Sequence, residues 1–114
     1  MGMLIGEMIT RLNGAARYSP PFPRGGQDVL FSLDSMDVPG GSVQLDIVVE
    51  HKDESATTWS NWGSFTAITT TGVKTLTLTG AKEVIRFKFS ISAGLSPQVY
   101  DTFLFNMLAP NWMP

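Results

Sequence analysis

The sequence predicts an all-β protein: an antiparallel β-sandwich or jelly-roll-like body with an extended N-terminal arm. Three observations predict it. From Asp28 onward apolar residues recur with a period of two, six such runs follow one another at spacings of about ten residues, and turn-forming residues separate them. With no helices to cover a parallel sheet, the strands must pair antiparallel and bury one face against a second sheet.

Residues 1–16, MGMLIGEMITRLNGAA, place Leu4, Ile5, Met8, Ile9 and Leu12 at intervals of three to four residues. A short amphipathic helix and a short strand both fit; Gly6 weakens the helix by about 1 kcal/mol relative to Ala, and a helix this short needs something to pack on. RYSPPFPRGGQ follows, where Pro20, Pro21 and Pro23 enforce extended backbone and remove amide donors, so it reads as an arm ending at Gly25-Gly26. The expected organisation is an arm over 1–26, a sandwich over 27–108 and a tail over 109–114.

In the body, Val29, Phe31 and Leu33 alternate with Leu30, Ser32 and Asp34, and Asp37-Val-Pro-Gly-Gly-Ser42 supplies a turn. Val43, Leu45, Ile47, Val49 and His51 share one face of the return strand, with Gln44, Asp46, Val48 and Glu50 on the other. After a polar loop, 52–58, two strands are expected near 62–69 and 73–79, joined by a Thr71-Gly72 hairpin. Ile85, Phe87, Phe89 and Ile91 then alternate with Val84, Arg86, Lys88 and Ser90. The last strand, Tyr100 to Leu108, aligns Phe103, Phe105 and Met107, and prolines bracket the short tail that follows.

Composition narrows the function. The chain of 114 residues has no cysteine and one histidine, which excludes a disulfide framework, a zinc finger, a thiol nucleophile and a multi-histidine metal site. Its formal charge of −2 gives no field that would collect nucleic acid. The charge is uneven, since residues 1–26 carry three bases and one acid while 27–114 carry five bases and nine acids. That is either chance or an arm suited to an acidic neighbour, including another copy's body. No run approaches the roughly 20 apolar residues of a membrane span, and the start lacks the pattern of a signal peptide. Synthesis in the cytoplasm is the expectation.

His51 is the one imidazole available to a hydrolase, and with no G-x-S-x-G elbow it reads as a structural histidine at a strand end. Asp53 and Glu54, with Asp46 or Glu50, match no EF-hand spacing and read as solvated acids. Neither G-x-G-x-x-G nor G-x-x-x-x-G-K occurs, so no cofactor is expected. Arg86 and Lys88 share a strand with Phe87 and Phe89, but bases and aromatics fall on opposite faces, which argues against an RNA-stacking platform. Trp59 and Trp62, with Phe65 and a contribution from Tyr100 or Trp112, are the candidate glycan-stacking residues. The competing reading places one tryptophan in the core and the other at a subunit contact.

The apolar residues of both ends lie outside the expected sandwich and call for a covering partner. The candidate contacts with a neighbouring copy or another protein are therefore Leu4, Ile5, Met8, Ile9, Leu12, Arg17, Tyr18, Phe22, Arg24 and Trp112.

From about Ser42 to Asn106, the segments VQLDIVVEHKDES, TTWSNWGSFTAITTTGVKTLTLTG and KEVIRFKFSISAG resemble the small β-sandwich structural proteins of tailed-bacteriophage virions. The likeness rests on a strand ending in a polar turn (His51-Lys52-Asp53), then Trp59, then Thr71-Gly72, then a strand carrying Ile85-Arg86-Phe87. It implies a non-enzymatic virion protein, by size a capsid decoration or cement protein, with the major capsid protein and neighbouring copies as partners, trimers by analogy. It implies no catalytic residue. The arm and the Pro-Asn-Trp-Met-Pro tail fall outside the likeness. The other function expected is a glycan-binding sandwich of a phage tail fibre or baseplate.

Overall fold

The computed structural model describes residues 5–11, 17–38, 44–92 and 100–113, and among them it contains strands and no helix. The strands are β1 (Ile5–Arg11), β2 (Arg17–Tyr18), β3 (Phe22–Pro23), β4 (Asp28–Asp37), β5 (Gln44–Lys52), β6 (Ser60–Ser64), β7 (Gly72–Leu78), β8 (Val84–Ser92), β9 (Tyr100–Met107) and β10 (Asn111–Met113). They form two antiparallel sheets packed face to face, a β-sandwich.

In the first sheet, β4 is central. β7 runs along one side of it, from Val29 opposite Leu78 to Ser35 opposite Gly72. β9 takes the other side with Leu33 opposite Met107, and β10 continues along that side with Trp112 opposite Val29. Where β9 gives way to β10, the Leu108 N–H donates to the Ser32 carbonyl at 3.0 Å. β1 closes the edge, pairing with β9 from Ile5 opposite Asn106 to Arg11 opposite Tyr100.

The second sheet is built on β5 and β8, which pair from Gln44 opposite Ser92 to Lys52 opposite Val84. β6 borders β5, and past its end Phe65 and Ile68 continue bonding to β5 through Ile47 and Leu45. β2 and β3 border β8. The alternating residues of both sheets meet in one core: Val29, Phe31, Leu33, Phe103, Phe105 and Met107 face Leu45, Ile47, Val49, Ile85, Phe87 and Ile91, all buried. Phe31 and Phe87 cross the gap edge to face, ring centroids 5.2 Å apart, the geometry in which the positive ring edge meets the negative face. Each such buried side chain stabilises the fold by roughly 1.5–3 kcal/mol relative to exposure.

The structure settles one open choice and departs from four expectations. Of the two readings for the first residues, the strand holds over 5–11: a free β9 edge supplies a ladder, which the glycine-weakened helix cannot match. The segment expected as a free arm is built into the sandwich from Arg17 to Arg24. Pro20 and Pro21 have no N–H, so the ladder is split; five steps along the chain from Arg17 to Phe22 match four along β8 from Phe89 to Ile85. Ser19 bridges the break, its N–H donating to the Phe87 carbonyl and its hydroxyl accepting the Phe87 N–H, both at 2.9 Å.

Gly25 marks close packing rather than a boundary, because a Cβ there would lie 2.6 Å from Cδ1 of Trp112. Trp112 itself packs on the core, its ring 6.2 Å from Phe31, so the tail also belongs to the sandwich. Finally, Thr71-Gly72 joins no hairpin: β6 pairs with β5 and β7 with β4, so the connection crosses between sheets. Gly72 has φ of 114°, a backbone angle that L side chains rarely adopt, and here it starts a strand in the opposite sheet.

Candidate functional site

The outward residues of β5 and β8 cannot join the core, so their chemistry is laid out on the outer face of the second sheet. Arg86 stands opposite Glu50, and its Nε donates to Oε1 at 2.7 Å. Two aromatics from outside the β5–β8 pair cover the guanidinium: Cζ lies 4.1 Å from the Tyr18 ring centroid and 4.3 Å from that of Trp59. Lys52 Nζ lies 5.4 Å from the Trp59 centroid and donates to the Ala56 carbonyl at 3.0 Å. Each cation–π contact is worth roughly 0.5–1 kcal/mol at such a site, and a solvent-facing ion pair about 1 kcal/mol at most. The cluster thus clasps β2 and the 53–59 loop onto the sheet.

On the inner side of the same sheet, a bulge in β6 makes Trp62 the extra residue between Asn61, opposite Glu50, and Gly63, opposite Val49. Trp62 meets Phe31 edge to face at 6.2 Å, stacks on His51 at 4.9 Å with the rings 10° from parallel, and donates from Nε1 to the Thr79 carbonyl at 2.8 Å. Trp59 and Trp62 therefore serve opposite faces and form no common glycan platform.

His51 is buried and its Nδ1 accepts the Lys82 N–H at 3.2 Å. That bond requires an unprotonated nitrogen. Burial, and then the nearby Lys82 charge, lowers the pKa, against a smaller opposing pull from Asp53. Because the folded pKa lies below that of the unfolded chain, about 6.5, the unfolded state takes up the proton first. Stability is full above that value and falls as pH drops through it toward the folded pKa. Unfolding midpoints in urea should decrease from pH 7 to pH 5, and His51→Asn, whose side-chain oxygen can still accept the Lys82 N–H, should flatten that part of the profile.

The four acids considered for a carboxylate or calcium site do not converge. Asp46 is held by Gln44 and Ser92, Glu50 by Arg86, and Asp53 and Glu54 are exposed on the loop, where the Glu54 N–H donates to Glu83. Among the described residues no group of three or more His, Cys, Asp or Glu could hold a metal ion.

The expected contact residues divide. Leu4 and Leu12 lie outside the described residues, and Ile5, Met8 and Ile9 lie on β1, opposite Asn106, Phe103 and Thr102. Phe22 packs on the core, 5.5 Å from Phe87, and Arg24 donates from Nη1 to the Ala81 carbonyl at 2.6 Å. Together with Trp112, these two serve the fold. Arg17 and Tyr18 are exposed. Sequence reasoning separated the bases of β8 from its aromatics correctly but missed that Tyr18 and Trp59 arrive on the basic side. Neither belongs to the strand whose alternation was being read, so only the outward position of Arg86 hinted at a partner.

Comparison with protein-family models, curated proteins and solved structures finds no match to this chain.

Proposed function

We propose that this chain is a non-enzymatic virion structural protein of a tailed phage, a decoration or cement protein that binds the outside of the head and stabilises the shell. The observation that supports this reading is how the residues of the virion-protein likeness are used. Lys52 and Arg86 meet on Trp59, and His51 stacks on Trp62 while accepting the Lys82 N–H. The pattern thus corresponds to packing that holds loops on a sandwich, and its His51, Lys52 and Arg86 are engaged in that packing. What the molecule offers a partner is surface, foremost the two outer sheet faces.

The test is to add the purified protein to phage heads assembled without it. Saturable binding at high copy number, with a higher temperature of shell rupture, is the expected result. No binding to heads, or binding of a few copies at the tail, would overturn the decoration role.

A further inference from the structure

Among the described side chains, the two outer faces of the sandwich differ in charge and carry all of the exposed large hydrophobic residues. On the first sheet, β4 directs Asp28, Leu30, Ser32 and Asp34 outward, between Val73, Thr75 and Thr77 of β7 and Asn106 and Asn111 across the ladder. The β-bulge after Ser35 adds Met36 and Asp37 at the end of this row, with Asp37 opposite Leu104. Among the described side chains this face has three acids and no base, because Lys74 alternates to the opposite side and bonds to Thr70 at 2.8 Å. It also exposes Val73 at 65%, Met36 at 44% and Leu108 at 37%.

The outer face of the second sheet carries Lys52, Arg86 and Lys88 against Asp46 and Glu50, and both acids are held by neighbours within the face. Tyr18, opposite Lys88 and 48% exposed, is the remaining exposed large hydrophobic. Neither Lys88 on this face nor Asp34 and Asp37 on the other has a partner among the described residues.

We infer that the basic, aromatic outer face of the second sheet docks on the acidic, apolar outer face of the first sheet of another copy. The occupant follows from complementarity. Lys88 meets the aspartates of the other face, and the exposed Tyr18 meets Val73, Met36 and Leu108, so an interface of the usual size, about 800 Å² on each side, would cover the apolar groups of both. Like faces would set aspartate against aspartate or lysine against lysine. The contact is therefore heterologous, head to tail, and gives a ring if the rotation closes and an open stack if it does not. This self-association needs no capsid and is tested without one, although it uses the same outer faces that the virion reading offers to a partner.

Sedimentation velocity across a concentration series in low and high salt tests it, using the wild-type chain, Lys88→Glu and Asp34→Lys. The wild type should associate, more weakly at high salt. Each variant alone should associate on the order of tenfold more weakly. Mixing the two variants should restore association, because every face in an alternating assembly is again matched. Circular dichroism establishes that both surface variants remain folded. A wild-type chain that stays monomeric throughout, association that neither variant weakens, or weakened association that mixing does not restore would overturn the inference.

Discussion

Replacing Trp62 with alanine should lower the unfolding free energy by about 3–5 kcal/mol, the range for removing a large packed aromatic. Three interactions end together: the edge contact with Phe31, the stack on His51 and the hydrogen bond to the Thr79 carbonyl. The last two tie the 79–82 segment to β5, so local loosening should accompany the global loss. Trp59→Ala is the control, because Trp59 contacts Arg86 and Lys52 on the outer face and not the core. Its cost should stay near 1 kcal/mol. Urea unfolding of both variants, with an unchanged denaturant slope to show that the unfolded state is comparable, should separate them by at least about 2 kcal/mol. Equal effects would mean that the two tryptophans share one environment.

Deleting residues 1–24 should have the largest effect, and the remainder should fail to fold as a stable monomer. The deletion removes β1, β2 and β3, leaving β9 and β8 as bare edges with unpaired backbone groups, and it uncovers Phe87 where Phe22 packs. A domain of this size has only about 5–15 kcal/mol of net stability, and open hydrophobic edges recruit other chains. Gel filtration and circular dichroism of the truncated chain should show aggregate or unfolded protein. A monodisperse, folded 25–114 with a near-wild-type midpoint would contradict the assignment. For the same reason, loss of head binding on such a truncation would report unfolding rather than loss of a contact arm, and single substitutions on the sheet faces are the informative variants.

The strands with alternating residues are legible in the sequence because one wet face and one dry face impose a period of two. The buried and half-buried positions of β4 from Asp28 to Ser35, of β5 and of β8 from Val84 to Lys88 follow that period, and so do Phe103, Phe105 and Met107. The inward, buried placement of His51 was equally legible from its position at the end of the β5 pattern.

What was not legible depends on partners distant in sequence. The proline-rich 17–24 segment has no alternation, because its ladder is made in two pieces with the Ser19 hydroxyl between them. Gly25 reads as a boundary unless the Trp112 ring that fills the space above it is known. Thr71-Gly72 has hairpin chemistry, yet the bonds of Phe65 and Ile68 to β5 keep the preceding chain on the other sheet. The Tyr18–Arg86–Trp59 stack joins three separate segments, and no local spacing encodes it.

The N-terminal segment is a structural part of both sheets, β1 pairing with β9 and β2 and β3 with β8. The most direct measurement is hydrogen exchange at one amide, Phe87 N–H, which donates to the Ser19 hydroxyl. If the segment is integral, this proton exchanges only on global unfolding, as slowly as the amides that link β5 and β8. Exchange at the rate of an open edge amide, while the β5–β8 amides stay protected, would show that the segment is a detached arm.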